Sequence, residues 1–494
     1  MMFSKITSTS YQRLTVVTCL CAGALVLVAC NSTPDGSIPI TTSSDEARED
    51  YLEGRDLAER LRSVEAHKSF DKALAEDSLF ALAYLSNAFV QPNARGFFDN
   101  FNKARELKDS VSEGERLLIL ATEAAIEGND SLQEENLSQL LRLYPDDARA
   151  HNFLGQLYFN QQRYADALKQ LHRAIALDPD FSAPYNLSGY SYRFLGLLDS
   201  AEAMFEKYID LIPDDPNPYD SYAELLLKKG EFEKSIESYQ RALALDPGFV
   251  ASYIGIASNY CYLNQHQAAR DELQQLYAVA RNDGQRRRAL YGLAATYIEQ
   301  GFLDSAETNI LKARGIAERI EDVRSVATDY SALGALAVEA GDYRLASALY
   351  DSALSIVNSS DMDDLTKGSS RRFHLYSMAR LAIETGQLKQ ADSLISKYGM
   401  SVDSLSSVAQ TAFVHQLKGM LALQSGAFSL ALDELSKASW LNPYNLYRIA
   451  LAYRGKGDTK NTIGTLHEVL SFNVPLDMNY AFARLHARAL QDSL

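Results

Sequence analysis

Cysteine is nearly absent from this 494-residue chain: there are four, too few to build a disulfide framework at this length. Proline and glycine are sparse too. Twelve prolines and 26 glycines make up about 8% of the chain against roughly 12% in average usage, which disfavours a turn-rich all-β architecture and favours long helices. Positive charge is in short supply, with 48 Lys and Arg against 64 Asp and Glu. The resulting net charge of −16 repels a phosphate backbone, so no nucleic acid partner is expected. Tryptophan occurs once, at Trp440. What is plentiful is core-forming material: 47% hydrophobic with 23% charged residues describes a folded chain with a large core.

The N-terminus has its own pattern. Lys5 and Arg13 are the only charges before an apolar stretch from Leu14 to Val28, which falls short of the ~20 residues that span a bilayer and so reads as an export signal. It ends in Leu27-Val28-Ala29-Cys30, which resembles the lipobox of bacterial lipoproteins. That resemblance implies that residues 1–29 are a signal peptide and that Cys30 is the lipidated first residue of the mature chain, a thiolate being the best side-chain nucleophile for thioether formation. Lipid chains at Cys30 would hold the protein on a membrane. Asn31 is not the Asp that often marks inner-membrane retention in lipoproteins, so the expected place is the outer membrane, facing the periplasm. Residues 30–44, rich in Ser, Thr, Pro and Gly, read as a flexible linker.

The rest of the chain is periodic. Pro145, Pro179, Pro213 and Pro247 are spaced by 34 residues, and Gly155, Gly189, Ala223 and Ala257 keep the same register, as do Ala167, Ala201, Ser235 and Ala269. The period and its residues, Leu154-Gly155-x-x-Tyr158 with Tyr164, Ala167, Ala174 and Pro179 above all, resemble the tetratricopeptide repeat. The resemblance implies an all-α fold: a right-handed superhelical solenoid of about eleven helix pairs, each with a helix A and a helix B. Small residues let A and B approach, Tyr158 and Phe205 fill the spaces between them, and Asp180 or Asp214 can cap the next helix A. The expected organisation is N-terminal repeat-like helices over 45–113, a core array over 114–283, an array with longer helices over 284–475, and a capping helix over 476–494. Gln91-Pro92-Asn93 reads as a break between an N-terminal repeat and the main array.

Motifs for chemistry are missing: there is no Gly-rich phosphate loop, His-Glu-x-x-His helix, Gly-x-Ser-x-Gly elbow or Cys-x-x-Cys pair. No catalytic residue, metal or cofactor is expected. Cys261 reads as an inert packed thiol and Arg286-Arg287-Arg288 as a solvated helix start. In the family, helix A lines the concave side. Mapped onto this chain, the groove stripe is Asn152, Gln156, Phe159, Asn186, Tyr190, Arg193, Phe194, Leu227, Lys228 and Tyr262. Aromatics mixed with amides and charges suit capture of a peptide. The expected function is a membrane-tethered, non-enzymatic scaffold that binds protein partners in the bacterial envelope, for assembly, secretion or wall maintenance. The alternative is a ligand- or glycan-capturing lipoprotein of a nutrient-uptake system.

Overall fold

The computed structural model describes residues 36–403 and 407–494, so the signal peptide and Cys30 lie outside the described residues. Among the described residues there are 25 α-helices and no strand. They form twelve pairs and one final helix. The N-terminal pairs are α1 (Asp45–Glu59) with α2 (Ser63–Glu76) and α3 (Ala81–Phe89) with α4 (Ala94–Glu106). Next come α5 (Glu113–Glu127) with α6 (Asp130–Leu143), α7 (Ala148–Asn160) with α8 (Tyr164–Leu177), and α9 (Ala183–Phe194) with α10 (Leu198–Leu211). The centre continues through α11 (Pro216–Lys229) with α12 (Phe232–Leu245) and α13 (Val250–Tyr262) with α14 (His266–Val279). Longer pairs follow: α15 (Asp283–Glu299) with α16 (Leu303–Arg319), α17 (Val323–Glu339) with α18 (Tyr343–Asn358), and α19 (Asp364–Glu384) with α20 (Leu388–Asp403). The array ends with α21 (Val408–Gln424) and α22 (Phe428–Ser436), α23 (Pro443–Gly455) and α24 (Thr459–Leu470), and the single α25 (Met478–Gln491). Gln91-Pro92-Asn93 turns out to be the turn inside the α3–α4 pair, where Asn93 caps α4 by accepting from the Gly96 amide at 2.9 Å.

The register has a packing cause at each position. A Cβ on Gly189 would stand 2.6 Å from the Phe205 ring and one on Gly155 2.9 Å from Leu171, while Ala167 and Ala201 are fully buried where helix B crosses helix A. The turn from A to B needs one residue in the left-handed region, at Gln162 (φ 61°), Gly196 (75°), Gly230 (79°) and Asn264 (58°), again 34 apart. Glycine enters that region without steric cost, which explains two of the four. The proline turns are closed by a second periodic bond: Tyr185, Tyr219 and Tyr253 each donate a hydroxyl proton to the carbonyl of the proline six residues earlier, at 3.0–3.1 Å. The expected caps Asp180 and Asp214 do not cap. The residue just before the helix has the reach, and Asp147 and Asp215 accept from Ala150 and Asn217.

Two segments outside the pairs are tied down. Residues 37–44, expected as flexible linker, run along the edge where one pair meets the next. The Ile38 amide donates to Asp147 at 2.8 Å, Thr41 donates through its amide and hydroxyl to Glu115, and Thr42 and Ser43 donate to Asp77. Ile38 and Ile40 pack on the two flanking cores, which composition alone could not anticipate. At the other end the array folds back on itself. The largest core cluster joins residues of α13–α17, such as Leu290 and Leu336, to Leu466, Leu476, Tyr480 and Leu490 near the C-terminus. Buried ion pairs secure this closure: Glu299 of α15 accepts from Arg484 at 2.9 Å and Arg488 at 2.7 Å, and Glu339 of α17 from Arg380 at 2.8 Å and His486 at 2.7 Å. The helix expected merely to cap the array is therefore embedded in it. Among the described residues, no helix is long and apolar enough to cross a membrane.

Candidate functional site

The helix A stripe of α7, α9, α11 and α13, expected as an open groove, is met in part by distant parts of the protein's own chain. Phe159 packs edge-on against Tyr164 (5.5 Å) and tilted against Phe194 (5.8 Å), and the half-exposed Trp440, from the turn before α23, sets its edge on Tyr164 and Phe194 at 6.4 and 6.2 Å. Gln162 donates to Ser439 beside it. Further along, a stretch of non-helical backbone, 472–476, crosses the stripe. Lys228 donates to the Phe472 carbonyl at 2.7 Å with its ammonium 4.8 Å from the Phe472 ring, Tyr262 donates to the Val474 carbonyl, and the Leu476 amide donates to the Ser258 hydroxyl at 2.8 Å. The contacts fall at every second residue, with Asn473 in the left-handed region (φ 46°) turning the chain between the first two. Tyr262 is further enclosed by Phe232, Tyr480 and the Arg484 guanidinium 4.5 Å above its ring.

The remaining stripe residues divide by burial. Tyr190 is packed edge-on to Phe205 at 5.2 Å and donates to Ser221, and burial holds its phenol well above the ordinary value. Arg193 is buried, paired with Glu224 at 3.1 Å, and Leu227 is fully buried, so these two are core rather than free groove, with Tyr190 half-buried beside them. Gln156 is exposed. Asn152 and Asn186, 34 apart, each keep a buried side-chain oxygen with no hydrogen-bond partner among the described residues. At the same repeat position stands Asp220, fully buried, bonded to the Ser252 hydroxyl at 2.7 Å, its carboxyl pushed up to about 8 by burial and by Glu224. Sequence reasoning overlooked Ser258 although it lies one period after Glu224. Trp440 and residues 472–476 carry no periodic signal that could have placed them there.

Two other features settle as structure. Cys261 is fully buried and burial pushes its thiol up to about 12, an inert state. Of the arginine run, Arg288 is exposed and Arg286 pairs with Asp283, whereas Arg287, expected in solvent, is buried against Asp329 at 2.6 Å because the longer α15 reaches α17 there.

Comparison with known proteins agrees with this architecture. Tetratricopeptide-repeat profiles match residues 148–181, 183–215, 216–249 and 285–359. The Hsp70-Hsp90 organizing protein of Triticum aestivum is 26% identical over 172 residues, 34% of this chain and 30% of that protein. Mitochondrial import receptor subunit TOM70 of Saccharomyces cerevisiae is 25% identical over 242 residues, 47% of this chain and 38% of that one. The match thus spans about a third of the length of each of these relatives. A solved tetratricopeptide repeat protein from Parabacteroides merdae is 13% identical with a TM-score of 0.34, covering 58% of this chain and 99% of its own. With the 34-residue register, the paired helices and the profile matches together, the chain is an all-helical solenoid built on tetratricopeptide repeats.

Proposed function

We propose that this protein is a non-enzymatic scaffold, held to a bacterial envelope membrane by a lipid on Cys30, whose concave face captures an extended segment of a partner protein. The observation that carries the reading is what the face already holds: Lys228, Tyr262 and Ser258 grip the backbone of residues 472–476 at alternate positions, which is peptide-binding chemistry with an internal occupant. The unpartnered amide oxygens of Asn152 and Asn186 continue the same face with acceptors suited to backbone N–H groups. With the chain held from Ile38 onward, the tether from Cys30 is eight residues, at most roughly 26–29 Å at ~3.3–3.6 Å per residue, so the body would stand close to the bilayer.

Photo-cross-linking in intact cells tests both parts. A photoreactive residue at the exposed groove position Gln156 should capture a partner recovered with the membrane fraction, and one at Lys207, exposed on helix B, should not. Cys30→Ser should move protein and adduct together into the soluble fraction. Equal capture from both positions removes the groove assignment, and unchanged membrane recovery of the Cys30 variant removes the lipid anchor.

A further inference from the structure

The C-terminal half contains a buried cation that the array does not neutralise. Arg448, on α23, is only 6% exposed, yet it makes no ion pair among the described residues. One of its nitrogens donates to the Asn445 side chain at 3.0 Å and its guanidinium lies 4.2 Å over the Tyr444 ring. The nearby carboxylate of Glu339 is already committed to Arg380 and His486, and Glu384, whose charge also reaches Arg448, forms no ion pair with it. Burial lowers the Arg448 pKa, the Tyr444 phenol opposes that shift, and the neighbouring Arg380 adds to it.

The surroundings are equally unbalanced. Arg380 gives one N–H to Glu339 but keeps its Nε buried without an acceptor among the described residues. Tyr376 accepts from Gln416 at 2.5 Å, which leaves its own hydroxyl proton free to donate. Tyr376 also closes an aromatic patch that opens outward: Phe373 and Phe413, 51% and 38% exposed, flank its ring at 6.3 and 5.5 Å. A desolvated guanidinium without a counter-charge is costly unless an anion completes it, and a planar fork of N–H groups suits a two-oxygen acceptor.

We propose that Arg448, Arg380 and Tyr376 form a seat for one oxyanion, a carboxylate or a phosphate, entering beside Phe373 and Phe413. This site uses none of the residues of the α7–α13 groove and stands independently of the function proposed above.

The test is the melting temperature of the full chain titrated with sodium acetate or sodium phosphate against sodium chloride at equal ionic strength. The wild type should show a saturable rise with at least one oxyanion, and the one acting at tenfold lower concentration names the source, carboxylate or phosphate. Arg448→Met should melt above the wild type in chloride, because an unpaired buried charge is gone, and should lose the oxyanion response. Should Arg448→Met not fold, Arg448→Lys decides: it keeps the charge but not the planar fork, and should need at least tenfold more oxyanion. A wild type indifferent to both anions, or a folded Arg448 variant that responds as the wild type does, overturns the proposal.

Discussion

Asp220 occupies the repeat position at which α7 and α9 carry Asn152 and Asn186, and it is buried where those amides are buried. An amide in that place carries no charge, whereas a carboxyl must either ionise in a dry site or keep its proton; burial first and the repulsion of Glu224 second outweigh the opposing hydrogen bond from Ser252, and the proton is kept up to about pH 8. The consequence has a definite sign. An acid whose folded pKa lies above its unfolded value of ~3.9 binds the proton more tightly in the native state, so stability falls as pH rises from about 4 to about 8 and is level above that. Asp220→Asn should flatten this segment of the melting-temperature profile, leaving the value near pH 4 unchanged and raising it at pH 8. A parallel decline in the variant would place the pH dependence elsewhere.

Helix α25 is held by charge as well as by apolar burial. Glu299 is fully buried and is the shared acceptor of Arg484, itself 5% exposed at the side chain, and Arg488. The attraction offsets the cost of taking these ions out of water only while both signs are present. Glu299→Gln should therefore lower stability by ~3–5 kcal/mol in a urea titration, well beyond the ~1 kcal/mol of an exposed pair. The exposed i,i+3 pair Lys103–Glu106 is the internal control: Glu106→Gln should change the midpoint little. Loss of stability as small at Glu299 as at Glu106 would mean that α25 is not anchored through this carboxylate.

A solenoid whose neighbours alone touch is a one-dimensional object, but this one closes: α6 meets α21 through Asp130 and Val408, α7 to α9 meet the turn at Trp440, and α11 to α13 meet the 472–476 segment. The last residues thus belong to the middle of the molecule rather than to its end. A chain stopped at Leu470 should melt lower than the full protein and expose the apolar surface now under Leu476, Tyr480 and Leu490, read by dye binding. A synthetic peptide of residues 471–494 added in trans should bind this shortened chain and restore part of the lost melting temperature by mass action, and should not bind the full chain. Failure to bind would mean that the segment is held only by its covalent connection.

The helical class, the 34-residue register and the A–B contacts were legible in the residues themselves, because each rests on neighbours in the chain: Gly189 beneath Phe205, the prolines after helix B, the longer helices from Asp283 on. The stripe of helix A was legible for the same reason, since one helical face is a matter of spacing. Whether that stripe is open was not. Phe194, Lys228 and Tyr262 are met by Trp440 and by Phe472–Leu476, more than two hundred residues away, while Arg193 and Leu227 are buried and Tyr190 half-buried among adjacent repeats. How far the coil returns on itself depends on small rotations accumulated over twelve pairs, and no local pattern encodes their sum. Sequence by itself determined the repeat, its helices and the chemistry of each face; tertiary structure alone decided which faces meet, because burial at a closure is a property of the assembled coil.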